Sequence, residues 1–203
     1  HAVDDFFMRS HFDVVYQLAA DMGGADYIFT GDNDLDIMTR SMQINLNVID
    51  AVKTYNVPKI FYSSSACVYS EDKQVDRFNI DCRESAAYPA NPDSEYGWEK
   101  LFAERLYMNL HKHTNTEVHI ARFHNIFGPS SEYDSGREKA PAALCRKVAE
   151  CPDGGSIDVY GSGEQVRSFM YISDCLNAIE DLMLSGYPAP VNIGSDFTIS
   201  IND

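Results

Sequence analysis

The chain has 203 residues, with 16 Lys and Arg against 31 Asp and Glu, a formal charge of −15 at neutral pH. So acidic a surface repels polyphosphate backbones and anionic lipid, which argues against a nucleic-acid or membrane-surface binder; a small phosphate ester would need local cations to overcome that field. At 44% hydrophobic residues, with no basic start before an apolar leader and no run near the ~18 apolar residues of a membrane span, the composition predicts a cytoplasmic globular protein of one large domain, or of a domain and part of a second.

In chain order, the apolar run at 13–20 (DVVYQLAA) predicts a buried strand, and the Gly- and Asp-rich stretch 22–36 a loop. Apolar residues at Ile37, Met38, Met42, Ile44, Leu46, Ile49 and Val52 predict an amphipathic helix to Tyr55, stopped before Pro58. A second strand follows at 59–65 (KIFYSSS). A long polar loop at 66–92 is of a length that is uncommon without a function. Asp93 or Ser94 is placed to cap a helix running to His113. Further on, the pattern predicts strands at 118–123, 156–160, 168–172 and 191–193, a loop at 124–136, and helices at 139–150 and 174–184.

Alternating apolar strands and helices predict an α/β fold, a doubly wound parallel sheet with helices on both faces. Ligands of such sheets sit at the carboxyl ends of the strands. Residues 19–24, 63–67 and 124–129 each follow a strand end, so all three are expected to border one crevice. The five cysteines, Cys67, Cys82, Cys145, Cys151 and Cys175, are odd in number and lack C-x-x-C spacing, which predicts free thiols rather than a disulfide framework or zinc site. His111, His113, His119 and His124 show no metal-ligand spacing, and no metal is expected.

The chemistry-bearing constellation is Tyr96-Gly97-Trp98-Glu99-Lys100. Tyr96 and Lys100 stand four apart on a helix and share a face. An ammonium beside a phenol favours the phenolate, and a lowered phenol pKa suits a base that removes an alcohol proton. Ser65, at the end of the second strand, is placed to hold the same alcohol.

In the order Ser65, Tyr96, Lys100, together with Leu18-Ala19-Ala20, Arg122 to Pro129, Arg167 to Asp174 and Val191 to Gly194, the chain resembles the extended short-chain dehydrogenase/reductase family of nucleotide-sugar epimerases and dehydratases. Within it, the stretches Ala19 to Gly24, Ser64 to Tyr69 and Gly136 to Ala143, with Cys145-Arg146-Lys147, resemble the branch of 3,5-epimerases that act on GDP-mannose. The resemblance implies a Rossmann-type NAD-binding fold, bound NAD, a nucleotide-sugar substrate and a homodimer paired through the two long helices.

Residue by residue, it implies a catalytic set of Ser65, Cys67, Tyr96, Lys100 and Lys139, with Cys67 and Lys139 as the acid/base pair. It implies cofactor contacts from Leu18, Ala19, Ala20, Ser63, Tyr96 and Lys100. Substrate contacts are implied for Gly23, Ser65, Ala66, Cys67, Asn125, Glu138, Lys139, Ala140, Lys147, Gln165, Val166 and Arg167. Lys139 at a helix start opposes the helix dipole, which by itself asks for a reason other than helix stability. The alternatives are a nucleotide-sugar 4-epimerase or 4,6-dehydratase, neither of which needs this Cys67 and Lys139 arrangement, and a non-catalytic binding module on the same fold.

No G-x-x-G-x-x-G stands anywhere in the chain, and it opens on His1. The expectation is therefore a Rossmann-type domain lacking its N-terminal half over residues 1–130, and part of a small substrate domain over 131–203 interleaved with the last sheet strands. Such a piece is expected to be inactive alone and poorly stable, because half a parallel sheet exposes an edge.

Overall fold

The computed structural model describes residues 2–75, 80–159, 161–164 and 166–202. It opens with a short helix, α1 (Ala2–Met8), then strand β1 (Val14–Gln17), helices α2 (Ala25–Phe29) and α3 (Asp34–Thr54), and strand β2 (Lys59–Ser65). A one-turn helix α4 (Asp72–Val75) lies in the long loop before α5 (Glu95–His113), β3 (Glu117–Phe123) and β4 (Asn125–Phe127). The remainder is α6 (Ala140–Glu150), β5 (Val166–Tyr171), α7 (Ile172–Ser185), β6 (Val191–Ile193) and β7 (Thr198–Ser200).

The main sheet has the order β1-β2-β3-β6 and is parallel throughout. Strand alternation sorts β2 onto two faces. Ile60 and Tyr62 pack with Val48, Val52, Ala103 and Tyr107 of α3 and α5, whereas Phe61 packs with Ala121, Cys175, Leu182 and Ile193 beneath α7. Helices thus cover both faces, as the doubly wound expectation requires. Helix α3 keeps Ile37, Ser41, Asn45, Val48 and Val52 buried on one stripe, the three-and-four spacing of a helix facing a sheet.

A second, smaller sheet has the order β4-β5-β7, with β4 parallel to β5 and β5 antiparallel to β7. The chain passes between the sheets at His124, whose amide donates to the Ile193 carbonyl at 3.0 Å. This places β4 inside the expected loop 124–136, which is a correction. Three others follow. The first strand is confined to Val14–Gln17, α2 forms within the expected loop 22–36, and residues 156–159 are irregular rather than a strand, Tyr160 lying outside the described residues. Among the described residues no helix is long and apolar enough to cross a membrane.

Candidate functional site

The carboxyl ends of β1, β2 and β3 lie side by side, with Ser63 opposite Ala121 and Ser65 opposite Phe123. After Ser65 the backbone turns into a single 3-10 turn, Ala66–Val68, capped by the Ser65 hydroxyl, which accepts the Cys67 N–H at 3.2 Å. The same hydroxyl favours the Tyr96 phenolate, and Cys67 packs against the Tyr96 ring. Strand end and turn therefore bring Ser65, Cys67 and Tyr96 together.

Helix α5 is held against this turn by a glycine. A Cβ on Gly97 would collide with the Cys67 carbonyl oxygen. A mid-helix glycine costs about 1 kcal/mol relative to alanine, and here the bare backbone lets Tyr96 approach Cys67. Ser94 caps the helix, its hydroxyl accepting the Gly97 N–H at 3.1 Å. Lys100 is buried, donates to the Ser63 carbonyl at 2.8 Å, and has its ammonium 5.6 Å from the Tyr96 ring centroid.

Burial, not Lys100, governs the phenol. It pushes the Tyr96 pKa up, with Cys67, Glu99 and Asp93 adding to the rise. The expected lowering is thus absent in the chain by itself, because removing the phenolate from water outweighs a cation at this distance. Burial also pulls Lys100 down, and the neighbouring Glu99 carboxylate opposes that loss of charge. Glu99 is fully buried and takes the Asn45 amide at 2.8 Å. The Asn45 oxygen accepts from Gln17 at 3.0 Å and from the Tyr107 hydroxyl at 3.1 Å. Gln17 pins the segment after β1 by bonding both the N–H and the carbonyl of Ala19. Leu18 and Ala19 stay exposed at that strand end.

The second acid/base candidate arrives on a different loop. Gly24 is also an approach site, since a Cβ there would strike the Glu138 carbonyl. Arg137 bonds Asp21 at 3.3 Å and lies 4.1 Å over the Tyr27 ring, clamping residues 136–139 to 21–27. Lys139 is the N-cap of α6. It is exposed overall, yet protein atoms crowded around its ammonium pull its pKa down, and the Cys67 sulfur opposes that shift. Half-buried Cys67 is pushed up to about 12, first by burial and then by the Asp93 carboxylate, with Ser65 and Lys139 pulling the other way. A protonated thiol and an amine of reduced basicity thus face one electrostatic environment.

The expected substrate contacts divide. Gly23 is buried against Tyr27, and Ala66 packs beside the Val68 and Tyr69 cluster. Ala140 and Lys139 start α6, next to a cavity of about 220 Å³ lined by Phe127, Arg137, Lys139 and Pro141. Glu138, however, gives one carboxylate oxygen to Arg146 at 3.3 Å, and its other oxygen is buried with no hydrogen-bond partner among the described residues. Asn125 donates to the Ser168 carbonyl at 2.9 Å, Lys147 to the Asp158 carbonyl at 2.6 Å, and Arg167 to the Val166 carbonyl at 2.8 Å. Gln165 lies outside the described residues. Among the described residues no group of three or more His, Cys, Asp or Glu side chains is placed to hold a metal.

The sequence pattern gives no role to Gly97 or Arg137. A glycine between Tyr96 and Lys100 in a helix is the available signal for Gly97; Arg137 carries no local signal, because its partners Asp21 and Tyr27 are remote in sequence.

Residues 1–194 match the NAD dependent epimerase/dehydratase family, and the chain belongs to it. It is 43% identical over 191 residues to GDP-mannose 3,5-epimerase of Arabidopsis thaliana, covering 94% of this chain and 50% of that protein. It is 29% identical over 188 residues to UDP-glucuronic acid decarboxylase 1 of Xenopus tropicalis, covering 90% of this chain and 41% of that one. The fold superposes with a TM-score of 0.82 on UDP-N-acetylglucosamine 4-epimerase from Methanobrevibacter ruminantium M1, at 24% identity over 100% of this chain and 60% of that structure. The chain spans about half the length of the curated relatives it matches.

The described residues fit the reacting end of a dinucleotide. Lys100 spends one of three donors on Ser63, which leaves donors for a ribose hydroxyl. Tyr96 stands beside it, and exposed Leu18 and Ala19 flank the strand end. A pyrophosphate seat built on G-x-x-G-x-x-G is not among these residues.

Proposed function

We propose that the protein to which this chain belongs is an NAD-dependent nucleotide-sugar epimerase that acts on GDP-mannose at C3 and C5. The observation that carries this reading is the pairing of Cys67 with Lys139 beside Ser65, Tyr96 and Lys100. Identity of 43% to a GDP-mannose 3,5-epimerase supports the substrate.

Bound NAD supplies a reversible hydride acceptor for C4 of the hexose. Tyr96 takes the C4 hydroxyl proton, and the Ser65 hydroxyl favours its phenolate. Lys100 stabilises the phenolate only while charged, and buried Glu99 helps to keep it so. A C4 ketone acidifies the hydrogens on C3 and C5. Each inversion then needs a base on one face and an acid on the other, roles that a thiol and an amine are able to exchange. Ser63 and the Leu18–Ala20 segment, pinned through Gln17, position the cofactor end. Asn125, Lys147 and Arg167 supply donors at the nucleotide side once released from backbone carbonyls.

Residues 1–130 form the dinucleotide-binding part and 131–203 part of the substrate region, with β6 returning to the main sheet. Exposed Leu46 on α3 and Trp98 and Phe102 on α5 support a homodimer through these helices. A cytoplasmic location fits five free cysteines.

The test is mass spectrometry of GDP-mannose incubated with the full-length protein and NAD in deuterated water. Incorporation of up to two carbon-bound deuterons without loss of water is expected. No carbon exchange would overturn the 3,5 reading in favour of a 4-epimerase, and loss of water would point to a dehydratase.

A further inference from the structure

We propose that Asp21 is a positioning residue for Lys139: its carboxylate ties the loop at 136–139 to α3, the helix that also backs Tyr96, and so sets where the amine stands against the reacting end of the site. This role deepens the epimerase reading and rests on it for its consequence in turnover, while the tie itself is tested without substrate.

Asp21 directly follows Leu18-Ala19-Ala20 and is fixed from α3. Its N–H donates to the Ser41 hydroxyl at 2.9 Å, and Ser41 is fully buried. Arg40 donates to one carboxylate oxygen at 3.2 Å and also bonds Asp36 at 2.9 Å. The other carboxylate oxygen accepts the Tyr27 hydroxyl at 2.9 Å and Arg137 at 3.3 Å. The Asp21 side chain is 8% exposed, whereas those of Arg40 and Arg137 are 60% and 49% exposed. Two guanidiniums thus converge on one buried anion. A buried carboxylate stripped of a partner is costly, where an exposed pair contributes little.

Arg137 reaches Asp21 from 116 residues along the chain. Its guanidinium lies 4.1 Å over the Tyr27 ring and also donates to the Met22 carbonyl at 3.5 Å. The backbones touch as well, since a Cβ on Gly24 would strike the Glu138 carbonyl. Lys139 stands two residues beyond Arg137 and caps α6. Helix α6 buries no residue of its own, so packing leaves the placement of Lys139 to this clamp.

On the opposite side, Met22 and Tyr27 pack with Cys67 against Ile28, Ile37 and Tyr96. Ile37 and Ser41 stand four apart on α3 and share its buried stripe. One rigid helix therefore positions the phenol through Ile37 and the amine loop through Arg40, Ser41 and Asp21. Transfer of a proton to or from carbon needs near-contact geometry, and a misplacement of about 1 Å costs up to about a hundredfold in rate.

The test has two arms, both on the full-length protein. Without substrate, phenylglyoxal modification of Arg137 is followed by peptide mass spectrometry, with Arg83, whose side chain is 81% exposed, as internal reference. Asp21→Asn is expected to speed modification of Arg137 roughly three- to tenfold against that reference, the range of a directly coupled pair. An unchanged rate overturns the proposal. With GDP-mannose in deuterated water, kcat and KM are read from carbon-bound deuterium. Asp21→Asn and Arg137→Met are each expected to lower kcat roughly ten- to hundredfold with KM within about twofold. The double variant should lose no more than the larger single, because the two residues act as one unit. Arg40→Met, which leaves the Arg137 contact in place, is expected to stay near wild type. A rise in KM at unchanged kcat would mean that Arg137 binds substrate directly, and it overturns the proposal. Multiplied losses in the double variant, or an equal loss in Arg40→Met, do the same. Should Asp21→Asn fail to fold, Arg137→Met at its half-exposed site carries the same kcat expectation, and a wild-type kcat there refutes the role. No carbon exchange by the unaltered protein would sink the GDP-mannose reading, and the Arg137 modification rate would still decide the tie.

Discussion

The two halves of the site are built differently. Tyr96 and Lys100 sit within the packed side of the parallel sheet, locked by Gly97, the Ser94 cap and a buried chain of hydrogen bonds through Asn45 and Gln17. Lys147, Arg167 and Asn125 lie in or beside the small sheet and α6, a helix with no buried residue, and each spends a donor on a backbone carbonyl. On the proposed reading, Tyr96 and Lys100 are fixed before substrate arrives, whereas the side chains placed at the nucleotide side are free to re-pair on binding. Preorganisation is most valuable where charge develops in the transition state.

The sharpest way to break that contrast is Tyr96→Phe. It deletes one oxygen from a residue packed against Ile28 and Ile37, so the fold should survive. Carbon-bound deuterium incorporation by the full-length protein should fall roughly 10²- to 10⁴-fold, the range of a lost general acid/base. Normal turnover would refute the catalytic assignment. Next is Gly97→Ala. Its methyl would strike the Cys67 backbone, which has no flexible end to yield. Overpacking of this kind costs about 1–3 kcal/mol, measurable by denaturant unfolding, and it should lower activity as well, because α5 must move away from Cys67. A silent Gly97→Ala would show that the close approach is dispensable.

Legibility in the sequence follows the same division. Strands β2 and β6 fall at their expected bounds, because each is an apolar run between clear breaks such as Pro58. Ser65, Tyr96 and Lys100 were readable from strand end and helix spacing. The elements that escaped, α1, α2, α4, β4 and β7, are seven residues or shorter. Strands β4 and β7 form against β5, and periodicity over three residues carries no signal of its own; the equally short β6 is bracketed instead by Pro190 and Gly194. The phenol pKa was misjudged for a related reason. A Tyr–Lys spacing announces a nearby charge, but how deeply both are buried is a tertiary property. Lys139 shows the converse, since its cost at a helix start is local and was visible.

A third prediction probes the packed side away from the chemistry. His119 is buried on β3, and neither ring nitrogen has a hydrogen-bond partner among the described residues. Burial holds its pKa below 6.5, with the Lys59 charge adding to this and Glu117 opposing. Between the depressed folded value and the unfolded one, the unfolded chain binds more protons, so stability falls as pH drops below about 6.5. The loss is about 1.4 kcal/mol for each pH unit separating the two values. Replacing the ring by His119→Phe should flatten the fall of melting temperature between about pH 7 and about pH 5. His124, also lowered by burial, leaves a residual slope. An unchanged slope would mean that His119 does not stay neutral in the fold.

The smallest effect is expected from Lys147→Met, and it tests the loosely held half. Lys147 lies on α6, and its ammonium donates to the Asp158 carbonyl at the surface, its one hydrogen bond among the described residues. Exchanging it should leave the melting temperature almost unchanged, because surface substitutions stay within about 0.5 kcal/mol. If the ammonium re-pairs with a nucleotide phosphate, a solvent-screened contact is worth roughly 0.5–1 kcal/mol, which is roughly a two- to fivefold rise in KM at unchanged kcat. A binding contact made equally in ground and transition states has that signature, and Tyr96→Phe must show the opposite one, with kcat bearing the loss. A fall in kcat for Lys147→Met would erase the contrast, because it would place Lys147 among the groups that act only as the reaction proceeds.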